Sequence, residues 1–237
     1  MSRFNGVKIK YYGHSAFKFT SPEGKVVLID PWLTNPIAPK GALDELDRVD
    51  LILVTHGHGD HIGDTVQIAK KFDAPVAAIF EITVWLSQQG VSNTIGMNKD
   101  GTIEVAGIKA TMVDATHSSS IDTGNGFIPG GEAAGFIVEF ENGFKVYHAG
   151  DTGFTGVMPI IGDFYKPDLF LVPIGSVFTL SPESAAYAVK LVKPRWVIPM
   201  HFDTFPVLTG KPEQFKEALD PEYKDRLIIL YPGDEVE

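Results

Sequence analysis

The sequence predicts an α+β fold, a four-layer αββα sandwich in which two β layers pack together and helices cover their outer faces. Two observations lead there. A strand-rich stretch followed by a helix and a further strand occurs twice along the chain. The 237 residues, 44% of them hydrophobic, suffice for one sizeable core, so one domain over 1–237 is expected. Paired β layers with outer helices satisfy such a pattern.

The first half opens with short apolar or alternating runs at Val7 to Tyr11, Ala16 to Thr20 and Lys25 to Ile29, punctuated by Gly13 and by Ser21-Pro22-Glu23-Gly24. Leu51 to Thr55 is continuously apolar, as a buried strand is. Helical spacing follows over Ile62 to Phe72, with Val66, Ile68 and Ala69 inward. Pro75 to Ile79 reads as a strand and Ile82 to Gln89 as a short helix ended by Gly90.

The second half restarts with strands at Thr102 to Val105, Ile108 to Ala115, Gly135 to Glu141 and Phe144 to Ala149, broken by Gly107 and by the hairpin signal Asn142-Gly143. Leu169 to Pro173 is a buried strand. Ser181 caps a helix to Val192, with Pro182 and Glu183 in its first turn. Trp196 to Met200 is a strand, Pro212 to Ala218 a helix and Arg226 to Leu230 the last strand. Ser118 to Glu132, with Gly124, Gly126, Gly130 and Gly131, reads as a long mobile loop.

Composition narrows the function classes. A formal net charge of −10 argues against bulk nucleic-acid binding, which needs clustered Lys and Arg. With no cysteine, disulfides, thiolate metal sites and a cysteine nucleophile are excluded. No stretch approaches the ~20 apolar residues of a membrane helix, and Met1 to Gly13 carries no cleavage signature. A soluble, cytoplasmic protein acting on a small molecule is expected, and the sequence leaves room for a homo-oligomer.

The chemistry concentrates at Thr55-His56-Gly57-His58-Gly59-Asp60-His61, between the buried strand and its helix. The strand end aims His56 and His58 out of the sheet, the glycines allow a sharp turn, and the helix start places Asp60 and His61. Three imidazoles and a carboxylate within six residues suit zinc, manganese or iron. Of the four other histidines, His117 and His201 follow apolar strands directly, as does Asp151 in Ala149-Gly150-Asp151-Thr152-Gly153. Taken singly, each is an ordinary boundary or turn residue. Together with the first cluster they form a set that strand ends could bring to one rim.

The order His56-x-His58-x-Asp60-His61, His117, Gly150-Asp151, His201 resembles the metallo-β-lactamase superfamily across nearly the whole chain. Gly13-His14-Ser15, Asp30-Pro31-Trp32, Gly131-Glu132-Ala133-Ala134-Gly135 and Ile198-Pro199-Met200-His201 are similar to its small metal-dependent hydrolases of undefined substrate, related to the ascorbate-6-phosphate lactonases.

The resemblance implies two divalent metal ions, zinc first, with manganese, iron or nickel also suited. His56, His58 and His117 would hold one, Asp60, His61 and His201 the other, and Asp151 would bridge them. A hydroxide shared by the ions would cleave an ester-type bond, in a phosphodiester, lactone or similar, of a small anionic metabolite. Asp60, Asp151 and His14 are the expected catalytic residues. Asp151 and the lack of Cys set the chain apart from antibiotic-cleaving members, and His58 from the flavodiiron oxidoreductases, which carry glutamate there.

Other roles stay open on sequence alone. His14 is either a proton donor or substrate contact, or structural. Asp30 either accepts a ligand imidazole's N–H or serves the turn before Pro31. His148 either orients a ligand or sits in the core. Phe127, Phe178 and Phe205 are core or lid residues, or line the pocket. The loop from Ser118 to Glu132 is expected to close over substrate or else to lie static on the surface. The alternative to an enzyme is a non-catalytic metal-binding or regulatory protein on the same scaffold.

Overall fold

The computed structural model describes residues 3–237. In the first half, β1 (Lys8–Gly13), β2 (Ala16–Thr20) and β3 (Val26–Ile29) form an antiparallel meander. Phe17 and Phe19 of β2 are buried while Lys18 and Thr20 alternate outward. β4 (Leu51–Leu53) then adds parallel to β3. After α1 (Gly59–Ile62) and α2 (Thr65–Phe72) comes β5 (Val76–Ile79). α3 (Phe80–Gln88) and β6 (Thr94–Met97) complete the parallel half. Every residue of β3, β4 and β5 is buried, as in a parallel sheet covered on both faces.

The second half repeats the scheme. β7 (Thr102–Val105) and β8 (Ile108–Asp114) precede the small hairpin β9 (Ser120–Asp122) and β10 (Phe127–Pro129). β11 (Ala134–Glu139) and β12 (Lys145–His148) extend the antiparallel half. α4 (Met158–Ile160) runs into a π-helical turn, Ile161–Tyr165. β13 (Leu169–Pro173), α5 (Pro182–Val192) and β14 (Trp196–Met200) then build the parallel half, with Ser181 capping α5. After α6 (Pro212–Ala218) and α7 (Pro221–Lys224), β15 (Glu235–Val236) returns to pair with β1.

The sheets are therefore seven-stranded, β15-β1-β2-β3-β4-β5-β6, and six-stranded, β14-β13-β12-β11-β8-β7. They meet through aromatic contacts such as Phe19 with Phe140, centroids 5.9 Å apart, and Phe17 with His148, 5.7 Å apart. α3 packs on β5 and β6, and α5 on β13. The αββα expectation holds. Among the described residues no helix is long and apolar enough to cross a membrane.

Three local expectations are corrected, and one strand was not foreseen. The helix read over 62–72 is two helices, because Gly63 takes φ 45 and any Cβ there would lie 2.5 Å from Trp32 Cα. That break frees α1 to place Asp60 and His61 while α2 runs on separately. The stretch Ser118 to Glu132 is not an unstructured loop but carries the β9–β10 hairpin. Arg226 to Leu230 is not a strand; it makes only the bridge Val197 to Leu227, and the last pairing strand is β15. β6, short and at the sheet edge, was not legible.

Candidate metal centre

Strand direction explains why distant residues meet. β1, β3 and β4 all point the same way, since β1 and β3 are each antiparallel to β2 and β4 is parallel to β3. His14, Asp30 and the turn from His56 therefore leave one rim of the first sheet. By the same reasoning β8, β12 and β14 share a direction, so His117, Asp151 and His201 leave one rim of the second. The two rims are stitched together by His201 N–H to His14 O (2.7 Å) and Ala134 N–H to Thr55 O (3.0 Å).

The seven expected ligands converge. His56, His58 and His117 bring one ligand atom each to within 4.8 Å of one another, and so do Asp60, His61 and His201 together with His14. Asp151 lies between the groups. Its Oδ2 is 3.0 Å from His201 Nε2 and 3.6 Å from His117 Nε2, and its Oδ1 is 3.3 Å from His61 Nε2. His58, Asp60, His117, Ser118, Asp151, Phe178 and His201 line a cavity of about 290 Å³ above them.

A chain of hydrogen bonds sets the imidazole tautomers. Asp30 Oδ2 accepts from His61 Nδ1 (2.7 Å) and from the Thr55 hydroxyl (2.7 Å), while its Oδ1 accepts the Thr55 N–H (2.8 Å). The Thr55 hydroxyl, its proton committed to Asp30, accepts from His56 Nδ1 at 3.0 Å. His56 is thereby left with an unprotonated Nε2 turned into the site, while His61, its Nδ1–H held by Asp30, turns Nε2 toward Asp151. Of the two roles open for Asp30, the structure shows the imidazole partner.

His14 is fully buried, with φ 57. Its Nε2 lies 3.0 Å from Asp60 Oδ2 and its Nδ1 2.9 Å from Thr204 Oγ1, and its ring stands edge-on to Trp32 and to Phe205. It does not line the cavity. His148 accepts the Gly150 N–H at Nδ1 (3.1 Å) and donates from Nε2 to Ser15 O (3.0 Å), so it is a satisfied core residue that braces the turn before Asp151. That turn needs glycine: Gly150 has φ 62, and a Cβ would sit 2.6 Å from Ala134 O.

The electrostatics suit a cation. Burial holds the pKa of His56, His58 and His117 below the imidazole range, so these imidazoles are neutral at neutral pH. Burial, with His201 beside it, brings His14 down to about 4. Burial would raise Asp151, but His201 and His61 keep it well below the carboxylate range. Burial opposes charge on His61, yet Asp151 and Asp30 hold its pKa well above the ordinary value. Asp60 is likewise held low by the His14 hydrogen bond against the effect of burial.

Asp151 Oδ1, His61 Nε2 and both nitrogens of His201 are buried and make no well-aligned hydrogen bond among the described residues, although Asp151 lies 3.0 Å from His201 Nε2 and 3.3 Å from His61 Nε2. Leaving such atoms unsatisfied costs about 1–3 kcal/mol each. An imidazole and carboxylate set of this kind, with its lone pairs turned inward, fits divalent cations.

Sequence reasoning missed two participants. Thr55 links Asp30 to His56. Thr204 holds the far side of His14. The Ser119 hydroxyl accepts the Gly57 N–H (3.0 Å) and donates to Gly130 O (3.1 Å), tying the β9–β10 hairpin to the ligand turn. Ser118 Oγ lies 3.3 Å from His58 Nε2. Phe178 lines the cavity; Phe127 is exposed, and Phe205 stacks on Trp32.

Residues 25–202 match the family model described as the beta-lactamase superfamily domain. The chain is 47% identical over 234 residues to a metal-dependent hydrolase of Rubrobacter xylanophilus, covering 98% of this chain and 96% of that protein. It is also 47% identical over 233 residues to one of Methanopyrus kandleri, covering 98% and 100%. Among solved structures it resembles Igni18, a metallo hydrolase from the archaeon Ignicoccus hospitalis, with 37% identity, a TM-score of 0.87 and 97% of each chain covered.

Proposed function

Because the chain belongs to the metallo-β-lactamase superfamily and is, like its relatives, a metal-dependent hydrolase, we propose that its centre takes two divalent ions and cleaves an ester-type bond of a small molecule. A phosphodiester, a lactone or a similar linkage fits. The observation that carries this reading is the cluster of buried, unpartnered nitrogen and oxygen atoms around Asp151.

In this reading His56, His58 and His117 hold one ion, Asp60, His61 and His201 the other, and Asp151 reaches both. Bound divalent ions supply Lewis acidity, which lowers the pKa of water toward ~7 and polarises the scissile bond. The chain's own residues do the rest. Asp30 and Thr55 keep His56 and His61 in the tautomer that presents Nε2. His14, out of reach of the cavity, steadies Asp60 as a positioning residue and not as the proton donor or substrate contact considered from sequence. The Ser118 hydroxyl offers a hydrogen bond at the cavity wall. Zinc suits the His and Asp set best, with manganese, iron or nickel also accommodated.

The test is turnover of bis-4-nitrophenyl phosphate, lactones and aryl esters by protein loaded with Zn²⁺, Mn²⁺ or Ni²⁺, with metal content measured alongside. Hydrolysis that needs metal and is lost in Asp151→Ala supports the proposal. No turnover across the panel by fully metallated protein contradicts it.

A further inference from the structure

Within the hydrolytic reading above, on which it rests, we infer that the cavity takes a substrate whose group beyond the scissile bond is uncharged and apolar, and that Phe178 is the residue that selects it. The expectation from sequence was an anionic metabolite; the lining points the other way. At about 290 Å³ the cavity is at or just below the small end of the ~300–1,000 Å³ usual for ligand pockets. Five of its seven lining residues belong to the metal-ligand set, which leaves Ser118 and Phe178 to face the rest of the substrate.

Among the described residues no Lys or Arg lines the cavity. The lysines carried near site segments are already committed. Lys99 pairs with Asp114, on the strand leading to His117, at 2.5 Å, and with Glu132 at 2.8 Å; Lys211 pairs with Asp203, two residues after His201. A substrate carboxylate or phosphate projecting away from the reacting bond would lose water against a phenyl ring with no cation to meet it, which is unfavourable.

Phe178 is an apolar side chain left 55% exposed yet held in place. Its segment is tied by Leu180 N–H to Thr152 O (3.0 Å), Ser176 N–H to Leu180 O (3.1 Å) and Gly175 N–H to Thr179 Oγ1 (3.1 Å). Ser176 takes φ 76, a costly backbone for a residue other than glycine. Strain of this kind at a site wall is a reason to look for function there. The bond to Thr152 fixes the segment one residue from Asp151, so the ring stands at the mouth of the cavity.

The experiment compares 4-nitrophenyl hexanoate with mono-4-nitrophenyl adipate, equal in chain length but for a terminal carboxylate, on zinc- or manganese-loaded wild type and Phe178→Lys. Wild type should favour hexanoate about tenfold or more in kcat/KM, and Phe178→Lys, with metal content unchanged, should erase most of that preference. Equal or better use of the adipate by wild type would overturn the inference. So would a hexanoate preference that Phe178→Lys leaves intact.

Binding gives a second readout on the same proteins: saturation-transfer NMR with hexanamide and its carboxylate counterpart, adipic monoamide. If neither ester turns over, the ester-cleaving reading fails on its own, and the amide pair still decides the substrate class. Preferential binding of hexanamide that Phe178→Lys weakens supports the inference, and preference for the carboxylate overturns it.

Discussion

Asp30 Oδ2 lies 2.7 Å from His61 Nδ1, both side chains fully buried, and the same oxygen accepts the Thr55 hydroxyl that in turn holds His56. One carboxylate thus orients an imidazole in each of the two proposed ligand groups. Removing it releases both. Asp30→Ala should lower zinc affinity roughly 10–100-fold and leave the Thr55 N–H without its partner, at about 1–3 kcal/mol in stability. A competitive chelator titration, with thermal unfolding beside it, checks this; wild-type affinity in Asp30→Ala would remove Asp30 from the site.

Protons and metal compete unequally at the two groups. The pKa values of His56, His58 and His117 lie below the imidazole range because burial disfavours their charge. His61 lies above it, since Asp151 and Asp30 outweigh burial. At neutral pH the first group binds an ion without shedding a proton, whereas the second must displace one from His61. Affinity at the second group should therefore rise with pH until His61 is deprotonated, and be lost first on acidification. Calorimetry at pH 7 in buffers of differing ionisation enthalpy should show about one more proton released for the ion at the second group than for the ion at the first. Heats independent of buffer would refute the assignment.

His14 tests whether a sealed residue can act through a ligand. Its ring contacts Asp60 and Thr204 but not the cavity. His14→Asn suits the left-handed backbone at φ 57 and should weaken metal binding and lower kcat about 10–100-fold, with little change in KM. A raised KM at unchanged kcat would mean that His14 touches substrate after all.

The β9–β10 hairpin separates a structural from a covering role. Its base is fixed to the ligand turn by Ser119, while Phe127 at its tip is 73% exposed. Removing the turn residues 123–126 should leave metal content intact and lower kcat/KM on the best substrate, as loss of a cover does. Ser119→Ala should instead disturb the His56 to His58 turn and weaken metal binding. If trimming the tip leaves kinetics unchanged, the hairpin is a brace alone.

The ligand turn was readable in sequence because all four of its donors are local, on a strand end and the first turn of a helix. His117, Asp151 and His201 were readable from their places after apolar runs. What closes the site was not. Asp30 was open in sequence as an imidazole's partner, but which imidazole it takes depends on β3 and β4 lying side by side, which spacing along the chain does not disclose. The role of His14 stayed open because only the left-handed turn after β1 shows its ring against Asp60. Four glycines hid β9 and β10, and helical periodicity ran through Gly63, where contact with the Trp32 backbone breaks the helix. Phe178 was open in sequence as a pocket residue, but it reaches the site from a loop with no periodic signature to decide the matter.

The central claim is that Asp151 joins two ion sites built from separate ligand groups. Anomalous diffraction from zinc-loaded crystals of wild type and Asp151→Ala tests it most directly. Wild type should give two peaks beside Asp151, one among His56, His58 and His117, the other among Asp60, His61 and His201, and Asp151→Ala should lose at least one. A single wild-type peak, or two peaks at full occupancy in Asp151→Ala, would contradict the account.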